Sequence, residues 1–224
     1  MRHDLWSNPC SRMPTTQFFN RTLQANKSLI GGNLAGPASA NAEVLAIRRN
    51  DTNEEEYEMI IRQETTSDVE AITQVTIAAF RTLPVSNHTE QFIIKALRFA
   101  GALTLSLVAE IDGRVVGHIA FSPVIISDGT NDWYGLGPVS VLPEYQKQGI
   151  GKSLINEGLS SLKELGGQGC ALVGDPNYYK RFGFKNFPEL VHEGVPQEVF
   201  LVLPFNEKVP QGIIVFHEGF LANG

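Results

Sequence analysis

The sequence predicts a mixed α+β fold built around one sheet, and three observations predict it. Apolar runs separated by turn signals, among them Asp112-Gly113 and Asp128-Gly129, fill the middle of the chain and read as antiparallel strands. Segments with apolar residues at helical spacing stand before and after that block. One strand–helix–strand passage follows it, which requires a crossover and so a sheet of mixed direction.

Taken in order, Met59-Ile60-Ile61-Arg62 is a short strand. Ser67-Asp68-Val69-Glu70 has the form of a capping box, and Val69, Ile72, Val75, Ala79 and Phe80 follow on one helical face. Thr89 is placed to cap a second helix through Phe92, Ile93, Ala96, Leu97 and Phe99. Between these helices Leu83-Pro84-Val85-Ser86-Asn87-His88 is a loop. Residues 105–111 and 115–126 form a hairpin about Asp112-Gly113, its second strand bent near Ser122-Pro123. Residues 133–142 are a further strand, ended by Pro143. From Lys152 to Leu165 the residues Leu154, Ile155, Leu159, Leu162 and Leu165 share one face of a helix that Gly166-Gly167 stops. Residues 170–173 are a short buried strand, 178–182 a helical turn, and 199–203 and 213–216 the last two strands.

Residues 1–58 lack this patterning, and a stretch of that length without an element reads as an extension rather than part of a compact domain. We expect a poorly structured segment 1–58 and a folded domain 59–224, with Met59 a candidate start. Glu55-Glu56 is encodable as a purine-rich ribosome-binding sequence just upstream of it. No compact apolar core of a secretory signal stands at the N-terminus, and residues 1–30 match a transit peptide only loosely.

Composition excludes several classes. With 42% apolar and 19% charged residues a soluble core is expected, and no run is long enough to span a membrane. A net charge of −6 argues against nucleic-acid binding. Two cysteines, Cys10 and Cys170, and five scattered histidines offer no metal-ligand spacing, so no metal is expected. A cytoplasmic protein, monomeric or homodimeric, is the expectation.

The most specific local signal is Gln146-Lys147-Gln148-Gly149-Ile150-Gly151, between a strand and a helix. A helix start offers free N–H groups and a positive dipole end to an anion, and glycine lets the backbone approach it. Lys147 and Lys152 add charge. The nucleotide P-loop pattern is missing, and Gly135-Leu136-Gly137 lies inside a strand, which disfavours a dinucleotide fingerprint.

Gln-x-x-Gly-x-Gly in this place resembles the acetyl-coenzyme A loop of the GNAT (Gcn5-related N-acetyltransferase) superfamily. The whole segment from Val139 to Gly151 resembles that family's strand-to-helix passage, and Tyr179-Lys180-Arg181-Phe182-Gly183-Phe184 its later Tyr-x-x-x-Gly-Phe element. Ile61-Arg62 with Asp68 and Ile72 resembles its opening strand and helix. Gly174-Asp175-Pro176 through Phe184, with Val116 to Pro123, is similar to the YhbS-like group. One departure is Leu172, where many relatives carry Asn.

The resemblance implies a mostly antiparallel twisted sheet, splayed between strands 133–142 and 170–173, with pantetheine in the gap. It implies acetyl-coenzyme A as co-substrate, held by backbone at Val139 and Val141 and by Gln146, Gln148, Gly149, Ile150, Gly151 and Lys152. A bulged N–H near Val139 to Val141 would polarise the thioester. Tyr179 is the candidate acid for the departing thiolate, with Tyr178 as fallback. Glu110, His118, Glu144 and a water relay are open as the base. His88 lies in the loop that shapes the acceptor pocket in such folds; Arg181 reads as a surface cation and Cys170 as a core residue. The function implied is direct transfer of acetyl to a primary amine of a small molecule or a protein. A non-catalytic acyl-coenzyme A binding module is the alternative, and the presence of Tyr179 favours catalysis.

Overall fold

The computed structural model describes residues 43–48, 56–84 and 86–224. The remainder of the N-terminal segment, with Cys10, the leader-type residues and most of the acidic run before Met59, lies outside the described residues, as does Val85. Chain order is β1 (Glu43–Arg48), β2 (Glu56–Gln63), α1 (Val69–Phe80), α2 (Glu90–Phe99), β3 (Leu105–Ile111), β4 (Arg114–Ile126) and β5 (Trp133–Val141). Then come α3 (Ile150–Glu164), β6 (Gly169–Val173), α4 (Pro176–Tyr179), β7 (Leu190–Val191), β8 (Phe200–Pro204) and β9 (Gly212–Phe216).

The strands lie in the order β1-β2-β3-β4-β5-β6-β8, with β9 joined to β4 and β7. Every pairing along that path is antiparallel except β5 with β6, and β7 with β9 off it is parallel too. The mixed α+β expectation is met, and the one crossover expected from the sequence, through α3, gives the parallel pair β5–β6. Two strands were not expected. β1 pairs with β2 from Glu43↔Ile61 to Arg48↔Glu56, so an element lies before Met59 and β2 itself begins at Glu56. β7 is two residues long, too short for any periodicity.

Local signals were displaced in two places. At α1 the reciprocal cap forms two residues earlier than Ser67: the Thr65 N–H donates to Asp68 Oδ2 at 2.7 Å, and a 3-10 turn leads into the helix. The pull comes from Arg62, whose guanidinium holds both Asp68 oxygens, at 2.7 and 2.9 Å. Leu165, counted in the apolar face of α3, is the residue after the helix and is 58% exposed. Thr89 stands at the cap of α2 without a capping bond from its side chain.

The core has two layers, one on each face of the sheet. The would-be Cβ of Gly117 on β4 points at Leu154 and Ile150 of α3, so odd-numbered β4 residues near it face that helix and His118 faces the other side. Ile150, Leu154, Ile155, Leu159 and Leu162 are buried along α3, while Ile72, Val75, Ile94 and Leu97 are buried on α1 and α2.

A domain boundary at Met59 is our proposal. Met59 and Ile61 are core residues, whereas β1 adds only an outer strand. A chain of residues 59–224 is expected to unfold in one cooperative transition at a lowered Tm, since a domain of that size buries about 70% of its unfolded surface. A broad, non-cooperative melt would place the boundary upstream of β1.

Candidate active site at the splayed strands

The ladder between β5 and β6 is short. It runs from Trp133↔Gly169 to Gly135↔Ala171 and stops, although β5 continues to Val141 and β6 to Val173 on its other partner β8. The end of β5 also carries a bulge. Ile119 pairs with Val139 and Phe121 with Leu136, so Gly137 and Pro138 stand opposite Ala120 alone. Proline inside a strand cannot donate to a ladder, and a bulge is where a sheet accommodates it.

Beyond the bulge the orientation of β5 is set by one bond: the Leu142 N–H donates to Val116 O on β4 at 2.9 Å. Polar groups alternate sides along an antiparallel strand. Ser140 therefore addresses β4, and the N–H and C=O groups of Val139 and Val141 address the open side. The Val141 carbonyl accepts there from Gln146 Nε2 at 3.0 Å.

The turn that follows is wound through two left-handed residues, Lys147 (φ 61°) and Gly149 (φ 90°). The first helical bond of α3 runs from the Ser153 N–H to Gly149 O. The N–H groups of Ile150, Gly151 and Lys152 thus have no acceptor within the helix and point out of its positive end. Gln148 ties the turn back by donating from Nε2 to Glu144 O at 3.1 Å. A Cβ on Gly151 would lie 3.2 Å from the Tyr178 hydroxyl and 3.7 Å from Val141 Cγ2, so helix start, strand end and Tyr178 converge there.

The two tyrosines are held differently. Arg181 stacks 4.9 Å from the centre of the Tyr178 ring, and its Nε donates to Tyr178 O. Tyr179 packs its ring on Gly174, edge-on to Phe184 at 5.9 Å and to Tyr178 at 5.0 Å. Burial pushes the Tyr179 hydroxyl well above the ordinary phenol value, and neighbouring Tyr178 and Cys170 push it the same way. It is protonated throughout the neutral range and available as a donor.

A polar network fills the opposite face, beneath α1 and α2. Glu64 accepts from Arg98 Nε and Nη2 at 3.0 and 2.8 Å and from Ser106 Oγ at 2.5 Å. Ser106 Oγ lies 2.8 Å from His118 Nε2, and His118 is fully buried. Next to His118 on β5, Ser140 meets Thr76 of α1 at 3.3 Å. Burial opposes ionisation of Glu64, but the neighbouring His118 and the donors Arg98 and Ser106 outweigh it and hold the carboxyl down to about 2.

Comparisons with known proteins match this architecture. Residues 103–186 fit the model of the acetyltransferase (GNAT) domain. The chain is 38% identical to the N-acetyltransferase YhbS of Escherichia coli over 128 residues, 57% of this chain and 74% of that protein. A crystal structure of a GNAT family acetyltransferase from Brucella melitensis in complex with acetyl-CoA is 52% identical, with a TM-score of 0.65 over 72% of this chain and 97% of the other. The structure of E. coli YhbS in complex with CoA is 33% identical, with a TM-score of 0.66 over 74% and 93%.

The chain belongs to the GNAT acetyltransferase family.

As a GNAT enzyme it brings Val139, Val141, Gln146, Gln148, Gly149, Ile150 and Gly151 together at one end of the gap. Lys152 is on the same turn and exposed; Ile150 turns its side chain into the core and offers only its N–H. Tyr179 is the last residue of α4, after β6, with its ring against Gly174, Phe184 and Tyr178, and it is the Tyr178 hydroxyl that reaches the start of α3 beside Gly151. Leu172, in the position many GNAT relatives give to Asn, is buried in the core. Glu110 is ion-paired with Arg62 at 2.7 Å and Glu144 with Arg114 at 3.1 Å. His88 sits at φ 59°, its N–H bonded to Ser86 Oγ. Burial raises the Cys170 thiol well above its usual range, as fits a core residue.

Sequence reading missed Glu64, Arg98, Ser106, Thr76 and Ser140, because single polar residues within apolar patterns carry no spacing signal. The bulge did leave one: a Gly-Pro pair inside a strand.

Because the Glu64 carboxyl is depressed from 4.5 to about 2, its stabilising share is present above pH 4.5 and lost as pH falls toward 2. Glu64→Gln is expected to flatten the stability profile over that window in urea titrations at stepped pH. An unchanged slope would show that Glu64 is not the group responsible.

Proposed function

We propose that this enzyme transfers an acetyl group from acetyl-coenzyme A directly to a primary amine, with both substrates bound together. The observation that carries this reading is the half-unpaired β5, whose Val139 and Val141 polar groups stand beside three unused N–H groups of α3. An extended amide-bearing arm fits the strand edge, and a pyrophosphate fits the helix start. Gly151 fits as well, since a side chain there would meet Tyr178 and Val141. The relatives solved with acetyl-CoA and CoA support the same assignment.

Bound there, acetyl-coenzyme A supplies a thioester whose carbonyl accepts a nucleophile. The backbone of Val139 and Val141 orients the arm along β5, and the bulge at Gly137-Pro138 re-aims the adjacent N–H groups toward the carbonyl. The N–H groups of Ile150, Gly151 and Lys152, with Gln148 and Gly149 before them, hold the pyrophosphate. Tyr179 donates its phenolic proton to the sulfur as it leaves. The acceptor is an amine of a small molecule or a protein, approaching from the α1–α2 side.

Continuous thiol release from acetyl-coenzyme A, measured with a panel of alkylamines, amino acids and lysine peptides, tests the reading. Amine-dependent release is expected. Calorimetric binding of coenzyme A with no release for any amine would leave a non-catalytic acyl-coenzyme A binding module in its place.

A further inference from the structure

The hydroxyls beneath α1 and α2 fix which nitrogen of His118 carries its proton. Ser106 has one hydroxyl proton and donates it to Glu64. Toward His118 Nε2, 2.8 Å away, Ser106 can therefore only accept, so Nε2 carries the hydrogen and Nδ1 is a bare lone pair. Nδ1 is buried and has no hydrogen-bond partner among the described residues. On α1, Thr76 commits its proton to Ile72 O at 2.8 Å, so in the 3.3 Å contact Ser140 is the donor and Thr76 the acceptor. The lone pairs of Ser140 Oγ remain.

His118 and Ser140 are directly opposed in the β4–β5 register, which places their side chains on one face with Cβ atoms about 5 Å apart. Two acceptors thus stand together, and a group that donates twice completes the pair. Both residues are almost wholly buried, at 0% and 2% exposure, which keeps a bulky amine away from Nδ1, and water is the smallest group that donates twice. Ser140 lies between Val139 and Val141, whose polar groups face the gap.

We propose that His118 takes the proton released by the acceptor amine, through a water bonded between its Nδ1 and Ser140 Oγ. The proposal rests on the acetyl-transfer reading above. The amine nitrogen bonds to the thioester carbon and the carbon–sulfur bond breaks. One N–H proton passes by way of the water to Nδ1, and the sulfur takes the phenolic proton of Tyr179; exchange with solvent restores both residues. Behind the ring, Ser106 and the Glu64 carboxylate stabilise the cation that forms. Glu110 and Glu144 are paired with arginines.

Burial lowers the imidazole pKa; Glu64 at the end of β2 raises it and Arg98 of α2 lowers it. The neighbours on α1, β3 and β5 are the uncharged Thr76, Ser106 and Ser140. A neutral imidazole waits for the proton.

The test is thiol release from acetyl-coenzyme A with two probe amines, n-butylamine and the weakly basic methoxyamine, in the parent, His118→Gln and Ser140→Ala. Glutamine keeps a donor toward Ser106 and lacks a basic nitrogen. For n-butylamine, with kcat/KM reckoned on the free base so that the amine's own ionisation drops out, His118→Gln is expected to lower kcat/KM by about 10²- to 10³-fold and to remove the remaining acidic limb of the pH profile. Methoxyamine, whose adduct sheds its proton to water unaided, should change little, and Ser140→Ala should show the same split more weakly. Equal losses for both amines, or an unchanged acidic limb, would overturn the proposal. Imidazole nitrogen shifts of the parent give a readout without substitution: hydrogen on Nδ1 rather than Nε2 overturns it too. A parent that fails to bind coenzyme A in calorimetry would instead remove the acetyl-transfer reading beneath it.

Discussion

Tyr179→Phe is expected to lower kcat by about 10²- to 10⁴-fold while leaving the affinity for coenzyme A close to the parent's. Its ring is fixed by Gly174, Phe184 and Tyr178, and phenylalanine preserves those contacts. Only the hydroxyl is lost, and the ground state of the bound thioester makes no use of its proton. An interaction made only in the transition state shows in kcat and not in the dissociation constant. Tyr178→Phe is the matched control with the opposite signature. Its hydroxyl lies beside Gly151 at the start of α3, so its loss should weaken cofactor binding and spare kcat. Single-turnover measurements, which isolate chemistry from release, decide between the two tyrosines. Full activity of Tyr179→Phe under those conditions would take Tyr179 out of the mechanism.

The second large effect is on binding. Gly149→Ala and Gly151→Ala are each expected to raise the Kd for coenzyme A by about 10- to 150-fold, the loss of one charge-assisted hydrogen bond of about 1.5–3 kcal/mol. The two act by different routes. At Gly149 no protein atom lies within 4 Å of an added Cβ, but φ is +90°, so alanine strains the turn and swings the N–H groups off their line. At Gly151 the backbone is ordinary, and the added methyl instead meets Tyr178 and Val141 on the surface proposed for the ligand. Pantetheine lacking phosphates serves as the comparison in calorimetry, since it should bind the parent and both variants alike. Parent-like affinity of both variants for coenzyme A would reduce the segment to an ordinary connecting turn.

What could be read in the sequence follows from how each feature is encoded. The Asp112-Gly113 turn and the apolar face of α3 are local and periodic, and both appear where expected except at Leu165, which falls past the end of the helix. The Gln-x-x-Gly-x-Gly turn was legible because its residue types are dictated by backbone geometry, here the left-handed Gly149. β1 was not legible because it gains its structure from pairing with β2 rather than from its own pattern. The capping shift at α1 came from Arg62, a residue outside the helix. The network from Arg98 through Glu64 and Ser106 to His118 joins α2, β3, β4 and the residue after β2, and no spacing rule reaches across them.

The early end of the β5–β6 ladder has a consequence for the life of the protein without ligand. Unpaired strand edges invite foreign strands, and most proteins keep them short, charged or covered. Here the unsatisfied edge is internal, flanked by a neighbouring strand that has only begun to diverge. The proposed pantetheine arm carries amide groups at intervals and can pair with that edge without a strand's side chains. Occupancy by the cofactor would then guard the sheet against foreign strands, and the ligand-free protein would carry an aggregation liability that the bound one lacks.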